Sequence, residues 1–179
     1  MKLDSLAELP LLSPATGPDI ALQQRLSFDR LSATEVDPSI DAPDSGDITT
    51  LDVLLILSRT STRLAAMSNG LRVISLTWDG DRLDETRRPE VPAHVSSRRM
   101  LVDLQLAWWP SDVIRLALPS GLQLTDVGLH RTLRRGDTVV VDIEYPSGDR
   151  YHGRTVFRQL EVGYAIVIDS RPVEGGTAP

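Results

Sequence analysis

The sequence predicts an α+β protein: a strongly curved antiparallel β-sheet, or open half-barrel, with a pair of short helices as a lid over its hydrophobic concave face. Two observations carry this prediction. Short apolar stretches with a period of two, separated by Gly-containing turns, run along most of the chain. Residues 96–119 have a helical period instead, with strands predicted on both sides. Helices and strands are therefore segregated, and about ten short strands favour one curved sheet.

The composition narrows the classes of function. With 179 residues, 41% of them hydrophobic and 25% charged, the chain is typical of a single globular domain. Its formal net charge of -6 argues against a nucleic-acid partner, because phosphate binding needs a basic face. The absence of cysteine excludes disulfides, thiolate metal sites and cysteine nucleophiles.

The two ends of the chain are predicted to lie outside the domain, which spans residues 19–170. Residues 1–18 hold Pro10, Pro14 and Pro18 among scattered leucines. This composition resists both helix and sheet, so we expect a flexible tether. Residues 171–179 are rich in Gly and Pro and are predicted to form a disordered tail.

The first half of the domain begins with a strand at residues 20–28, where apolar side chains stand at every second position. Residues 29–47 hold prolines and acidic side chains without a period, and we expect a mobile acidic loop. Further strands are predicted at 51–57, 63–67 and Leu71–Trp78. Asn69-Gly70 and Asp79-Gly80 favour type I′ turns, which make consecutive strands antiparallel neighbours.

Two short helices are predicted in the middle of the chain. Ser96 or Ser97 can cap the first, whose apolar residues recur at three- and four-residue spacing up to Trp108. Pro110 ends that helix, because a proline inside a helix removes a hydrogen bond and clashes with the preceding turn. Ser111 can start the second helix.

The second half of the domain returns to a period of two. We expect strands at Leu122–Val127, His130–Arg135, 138–145, 150–157 and 163–169. In the third of these strands, Val141, Ile143 and Tyr145 share one face. Asp142 and Glu144 share the other face, so one side of the strand is dry, as a hydrophobic interior requires.

No catalytic, metal or cofactor site is predicted. The three histidines stand in separate segments without the spacing of metal ligands, and no segment matches a nucleophile elbow or a phosphate-binding loop. The carboxylate pairs are better explained by turns and solvent-facing strand surfaces than by acid-base catalysis. They are Asp79/Asp81, Asp84/Glu85 and Asp142/Glu144. We therefore expect no enzymatic activity; a hydrolase would need a polar cluster assembled by folding.

Trp108 and Trp109 form the largest local concentration of apolar surface. Neighbouring residues on a helix point about 100° apart. One ring is therefore expected in the core and the other sideways, toward a groove or solvent. A core-plus-edge role is the simpler interpretation, and a cavity-lining role is the alternative.

Four segments resemble one bacterial protein family. They read ALQQRLSF, LRVISLTWDGDRL, RRMLVDLQLAWWP and VVVDIEY. Over residues 19–170 the chain is similar to an uncharacterised family of small envelope lipoproteins, often encoded beside aryl-polyene or other fatty-acid-like synthesis genes. That family in turn resembles the lipoprotein-localisation proteins LolA and LolB. The resemblance implies a curved antiparallel sheet whose helices close a hydrophobic cavity that accepts acyl chains.

The predicted ligand-binding residues would line that cavity. They are Leu54, Ile56, Leu64, Ile74, Leu76, Trp78, Met100, Leu104, Trp108, Leu116, Val141, Phe157 and Ile166. In LolB a hydrophobic residue on a loop between two strands contributes to membrane delivery, and Met67 and Leu71 flank the corresponding loop here. Ser68 and Asn69 stand where the resemblance implies an apolar tip.

These observations lead to one expected function and one alternative. We expect a protein that binds a lipid or acyl-bearing ligand on the periplasmic face of the outer membrane, and that accepts or transfers a lipid or lipoprotein. Its membrane association would be peripheral, through a lipid anchor absent from this chain, after removal of a signal peptide; a cytoplasmic location is the alternative. The alternative function is a non-catalytic scaffold of an envelope biosynthesis system, with an envelope protein as partner. Neither function needs a cofactor.

Overall fold

The structure is a computed structural model that describes residues 6, 8–31, 50–91 and 95–173. Most of the predicted acidic loop, and residues 174–179 of the predicted tail, lie outside this range. The described residues form ten strands and two α-helices. The strands are β1 (Ile20–Arg30), β2 (Thr50–Leu57), β3 (Thr62–Ser68), β4 (Leu71–Trp78), β5 (Leu83–Arg87), β6 (Leu122–Val127), β7 (His130–Arg135), β8 (Thr138–Glu144), β9 (Gly153–Gln159) and β10 (Tyr164–Pro172). The helices are α1 (Ser97–Trp108) and α2 (Ser111–Ala117).

All these strands belong to one open, curved sheet in the order β5-β4-β3-β2-β1-β10-β9-β8-β7-β6. Every neighbouring pair is antiparallel. The chain therefore forms two meanders, β1 to β5 and β6 to β10, which meet where the first strand pairs with the last. This arrangement confirms the predicted α+β class and the half-barrel-like sheet.

The two helices connect the free edges of the sheet. The first meander ends at edge strand β5 and the second begins at edge strand β6, so the connection must cross from one edge to the other. It crosses the inner face, where Tyr145 and Tyr164 donate hydrogen bonds from the sheet to α1. Both predicted helices are confirmed. The Ser96 side chain accepts a bond from the Arg99 amide at the start of α1, and Pro110 separates α1 from α2.

The hydrophobic core lies between α1 and the inner face of the sheet. Leu55, Leu64 and Leu76 face one another across β2, β3 and β4, and all three are buried. Ile143 and Phe157 form the same kind of pair across β8 and β9. Helix α1 is buried on nearly every side. This is expected of a helix that has other parts of the protein on both sides.

Residues 9–17, named here the N-terminal strap, cover the side of α1 that faces away from the sheet. The amide and the carbonyl of Leu12 both bond to the Gln105 side chain. Gly17 lies against the indole of Trp109, so close that a Cβ at this position would be 2.5 Å from ring atom Cζ2. The prediction of a flexible tether is wrong for this segment. Proline disfavours regular structure, but it does not prevent an extended segment from packing.

Three strand assignments differ from the sequence prediction. β9 spans Gly153–Gln159 instead of residues 150–157. β5 has the sequence LDETR, which lacks an apolar face, and it pairs with β4 as an edge strand. Charged side chains are common on such edges because they oppose aggregation. β10 runs to Pro172, which lies opposite Leu22, so the predicted tail begins too early at residue 171.

A pair of helical leucines tests this packing. Leu101 on α1 is 0% exposed, whereas Leu116 on α2 is 89% exposed. Leu101→Ala should lower the free energy of unfolding by about 2–5 kcal/mol, because it removes buried methyl groups and leaves a cavity. Leu116→Ala should change it by less than about 0.5 kcal/mol. Urea unfolding measures both, and similar losses for the two variants would contradict the packing described here.

Candidate functional site

The predicted lining residues divide into those that face the interior and those that do not. The inward-facing set is largely buried and lies on β3, β4, α1, β8, β9 and β10. It consists of Leu64, Ile74, Leu76, Trp78, Met100, Leu104, Trp108, Val141, Phe157 and Ile166, of which Met100 is half-buried. Together with the inward leucines of β1 and β2, these side chains make the inner face apolar from strand to strand.

Leu54, Ile56 and Leu116 do not face the interior, so their assignment to the lining is wrong. In β2 the inward positions are Val53, Leu55 and Leu57, while Ile56 is 37% exposed on the opposite face. The run VLLIL is apolar at every position, and a period of two cannot reveal which alternate set faces inward. On α2 the buried residue is Ile114, which leaves Leu116 in solvent.

Two turns expose apolar side chains. The predicted turn at Asn69-Gly70 has positive φ at both residues, as a type I′ turn requires, and Leu71 beside it is 58% exposed. Met67 is half-buried. The β6–β7 turn exposes Val127, at 70%, and Leu129, at 44%, which the sequence analysis did not identify. Because consecutive strands alternate in direction, these two turns lie at opposite ends of the sheet.

The side chains of the inner face and of α1 are buried against one another in the described residues. Trp108 and Trp109 are both buried, so neither ring faces solvent. The Trp108 indole donates to the Arg150 carbonyl at 2.7 Å, and the Trp109 indole lies under the strap. The space between the strap, α1 and α2 is about 20 Å³, which is room for about one water molecule. An acyl chain could enter only if α1 moved.

A cluster of polar side chains holds the end of α1 against the sheet. Arg131 on β7 is buried and donates through Nη1 to the carbonyls of Leu106, Ala107 and Trp109, at 2.6, 3.3 and 3.0 Å. The Tyr145 hydroxyl donates to the Ala107 carbonyl as well. The last carbonyls of a helix have no partner within the helix and carry partial negative charge, so a cation is favourable there. We call this arrangement the carbonyl clamp.

Asp126 supplies the anion of the carbonyl clamp. Its carboxylate accepts from Arg131 at 2.8 Å and from Arg150, whose Nη1 lies at 2.9 Å. Burial alone would raise the pKa of Asp126, but the hydrogen bonds and charges of Arg150 and Arg131 hold that pKa below its ordinary value. Burial also raises the pKa of Tyr145, so its hydroxyl keeps the proton that it donates.

A second polar cluster lies near the start of α1. Arg99 donates to Asp103 at 3.0 Å within α1, and Tyr164 on β10 donates to the same carboxylate. Burial, followed by the nearby charge of Asp103, raises the pKa of Tyr164 well above its ordinary value. The two clusters thus attach the middle and the end of α1 to the inner face. In the sequence, both clusters are indicated by a charged or phenolic residue that stands at an inward strand position or inside an apolar helix.

The described histidines lie beside carboxylates at the surface, and Asp142 is also shared with Arg158, which bridges to Glu144. His130 pairs with Asp142, His152 with Asp149. In the part of the chain that the structure describes, no three histidine or acidic side chains gather in a way that could hold a metal ion. Within the same residues, no helix is long and apolar enough to span a membrane.

Asp126→Asn tests the clamp. It leaves two arginines without their shared anion, and we expect a loss of about 3–5 kcal/mol in the free energy of unfolding at pH 7. A carboxyl whose pKa is lower in the folded protein stabilises it fully above the unfolded pKa of about 4, and this stabilisation is lost as the pH falls through the folded pKa. The difference between the wild type and the variant should therefore shrink below roughly pH 4.

Asp52→Asn is the matched control, because it removes an anion from an exposed pair with Arg25. Its cost should be much smaller than that of Asp126→Asn, because solvent screens an exposed pair. Urea unfolding between neutral and acidic pH measures both variants. A difference between wild type and Asp126→Asn that does not depend on pH would contradict the assignment.

The chain matches the DUF3261 family, described as a protein of unknown function, over residues 23–172. No curated protein and no solved structure matches it. The matched range runs from within β1 to the last residue of β10 and contains both helices. The expectation of an uncharacterised family is confirmed at this level: the chain belongs to the DUF3261 family.

Proposed function

We propose that this protein binds a lipid or another acyl-bearing molecule against the inner face of its sheet, with α1 as a lid that moves to admit it. The observation that carries the proposal is the combination of an apolar inner face with a cover that is held by side-chain hydrogen bonds. The helix is not part of the sheet's own hydrogen-bond ladder, so it can leave without breaking any strand pair.

The energetics of such a lid favour an apolar ligand. When α1 leaves, the inner face loses its cover, at a cost of about 25 cal/mol for each Å² of apolar surface returned to water. An acyl chain would cover that surface again and recover part of the cost. A polar ligand would not. The proposed ligand is apolar because the surface that α1 covers is apolar.

The proposed setting is the periplasmic face of the outer membrane. The same proposal includes peripheral attachment through a lipid anchor outside this chain. It also includes a role related to that of LolA and LolB, and a place beside aryl-polyene synthesis. The exposed side chain of Leu71, with Met67 beside it, supports a contact between the β3–β4 turn and the membrane. The exposed residues of the β6–β7 turn lie at the other end of the sheet, so the β3–β4 turn would contact the membrane without them.

A second candidate function is a non-catalytic interaction or scaffold protein of an envelope biosynthesis system. The observation that favours it is that the side chains of the inner face and of α1 are buried against one another. A scaffold needs no internal ligand, and its core can stay permanently packed. The two candidates therefore differ in whether α1 opens.

Tyr145→Phe tests the lid. The change removes one hydroxyl bond to the Ala107 carbonyl and preserves the shape of the core. A bond of about 1 kcal/mol favours the closed state roughly 5-fold, so the variant should bind a fluorescent fatty acid about 5-fold more tightly. Tyr151→Phe is the control, because its hydroxyl lies 3.5 Å from the Trp108 carbonyl and should contribute much less.

Native mass spectrometry of the protein purified from bacterial cells separates the two candidates. A reproducible bound acyl species, identified after lipid extraction, would support the lid. If the mass is that of the chain alone, and neither the wild type nor Tyr145→Phe binds a fluorescent fatty acid while folded, the acyl-binding proposal is wrong and the scaffold is favoured.

A further inference from the structure

The side chain of Gln105 binds the strap as one strand binds another. Its Oε1 accepts from the Leu12 amide at 2.8 Å, and its Nε2 donates to the Leu12 carbonyl at 2.9 Å. One side-chain amide thus satisfies both main-chain groups of a single residue. Gln105 is 2% exposed in the middle of an apolar helix, where an unpaired amide would be costly. Its position there is explained by the segment that it binds.

Three further donors are directed at main-chain oxygens of the strap. The Trp78 indole donates to Leu12 at 2.8 Å, and Arg98 donates to Leu9 at 2.7 Å. The Trp109 indole donates to Ser13 at 3.3 Å. None of these bonds uses a strap side chain. The surface formed by Trp78, Arg98, Gln105 and Trp109, named here the strap groove, therefore recognises an extended backbone rather than a particular sequence.

Apolar contacts add a preference for leucine. Leu9 is buried, and Leu12 packs against the same core. Both border the small space that is lined by Val102, Leu106 and Ile114 of the helices. The groove thus takes an extended segment with leucines three positions apart.

The strap lies outside the residues matched by the family model, whereas the strap groove lies inside them. The match begins at residue 23, after the strap, while Trp78, Arg98, Gln105 and Trp109 all lie inside it. The groove residues therefore lie inside the matched range, and the segment that fills the groove lies before it. A covalently attached segment has an effective concentration on the order of millimolar, which is enough to fill a groove that other segments can also fill.

The geometry points to a peptide-binding site: the strap groove accepts an extended, leucine-containing segment of a partner protein, and the chain's own strap occupies it in cis. Binding of the partner segment requires the strap to leave, so the two compete. This inference does not depend on the acyl-binding proposal, because no part of the groove needs α1 to leave the sheet.

A full-length variant with Leu9→Asp and Leu12→Asp provides the test. Two charges on the strap should expel it from the groove, while every groove residue stays unchanged. A fluorescent synthetic peptide with the sequence of residues 8–18, ELPLLSPATGP, should then bind saturably by fluorescence anisotropy. The wild type should bind the same peptide at least about 10-fold more weakly, because its strap competes in cis.

Two controls distinguish specific binding in the groove from nonspecific peptide binding. A peptide that carries Leu12→Asp should not bind the double variant. Gln105→Leu in the double variant should weaken binding of the wild-type peptide about 10-fold, since the amide at the Leu12 position loses its partner and the carbonyl keeps only the Trp78 indole. If the folded double variant does not bind the peptide at millimolar concentration, or binds both peptides equally, the site does not exist.

The unmodified chain offers a measurement that needs no variant. Hydrogen exchange followed by mass spectrometry reports the protection of the strap, whose Leu12 amide bonds to Gln105. Millimolar peptide should increase exchange of the strap severalfold, because the peptide replaces it. Unchanged exchange of the strap at that concentration would overturn the proposal.

Discussion

The pairing of β1 with β10 in the middle of the sheet is the constraint on which the rest of the architecture depends. It places the two meanders side by side and leaves their far ends, β5 and β6, at opposite edges. The chain between those edges must then cross the whole sheet. Crossing over the inner face lets α1 bury its apolar residues against an apolar surface. The strand order thus requires a connection across the sheet, and the apolar sequence of α1 suits its position on the inner face.

A helix in that place cannot have a polar face, because the sheet covers one side and the strap the other. Several of the polar groups that α1 does carry are bound to specific partners. Asp103 meets Tyr164, Gln105 meets Leu12, and the last carbonyls meet Arg131. In an interior of low dielectric such bonds are costly to leave unmade, so they fix the orientation of the helix as well as its position.

Turn chemistry made most of the strands predictable. Asn69-Gly70 and the strong alternation from Val141 to Tyr145 indicate position and inward face without any tertiary information, and the structure agrees. Prediction failed where the local signal is neutral. The apolar run of β2 hides its inward set, the charged β5 lacks a period, and the one regular element of the strap is a three-residue 3₁₀ helix at Pro14–Thr16. Gln105 was the available clue to the strap, because an amide in the middle of an apolar helix needs a partner from elsewhere.

The strap and the sheet bind opposite sides of α1, and this couples the two proposed binding events. For α1 to leave the sheet, the strap must release Gln105 and Trp109 or move with them, and the strap is covalently continuous with β1. A peptide bound in trans lacks the covalent connection, but the bonds that now hold Leu12 would still attach it to Trp78 on β4 and to Gln105 on α1. Peptide binding would therefore favour the closed lid. Coupling of this kind is reciprocal, so an acyl ligand on the inner face would lower the affinity of the groove for the peptide by the same factor.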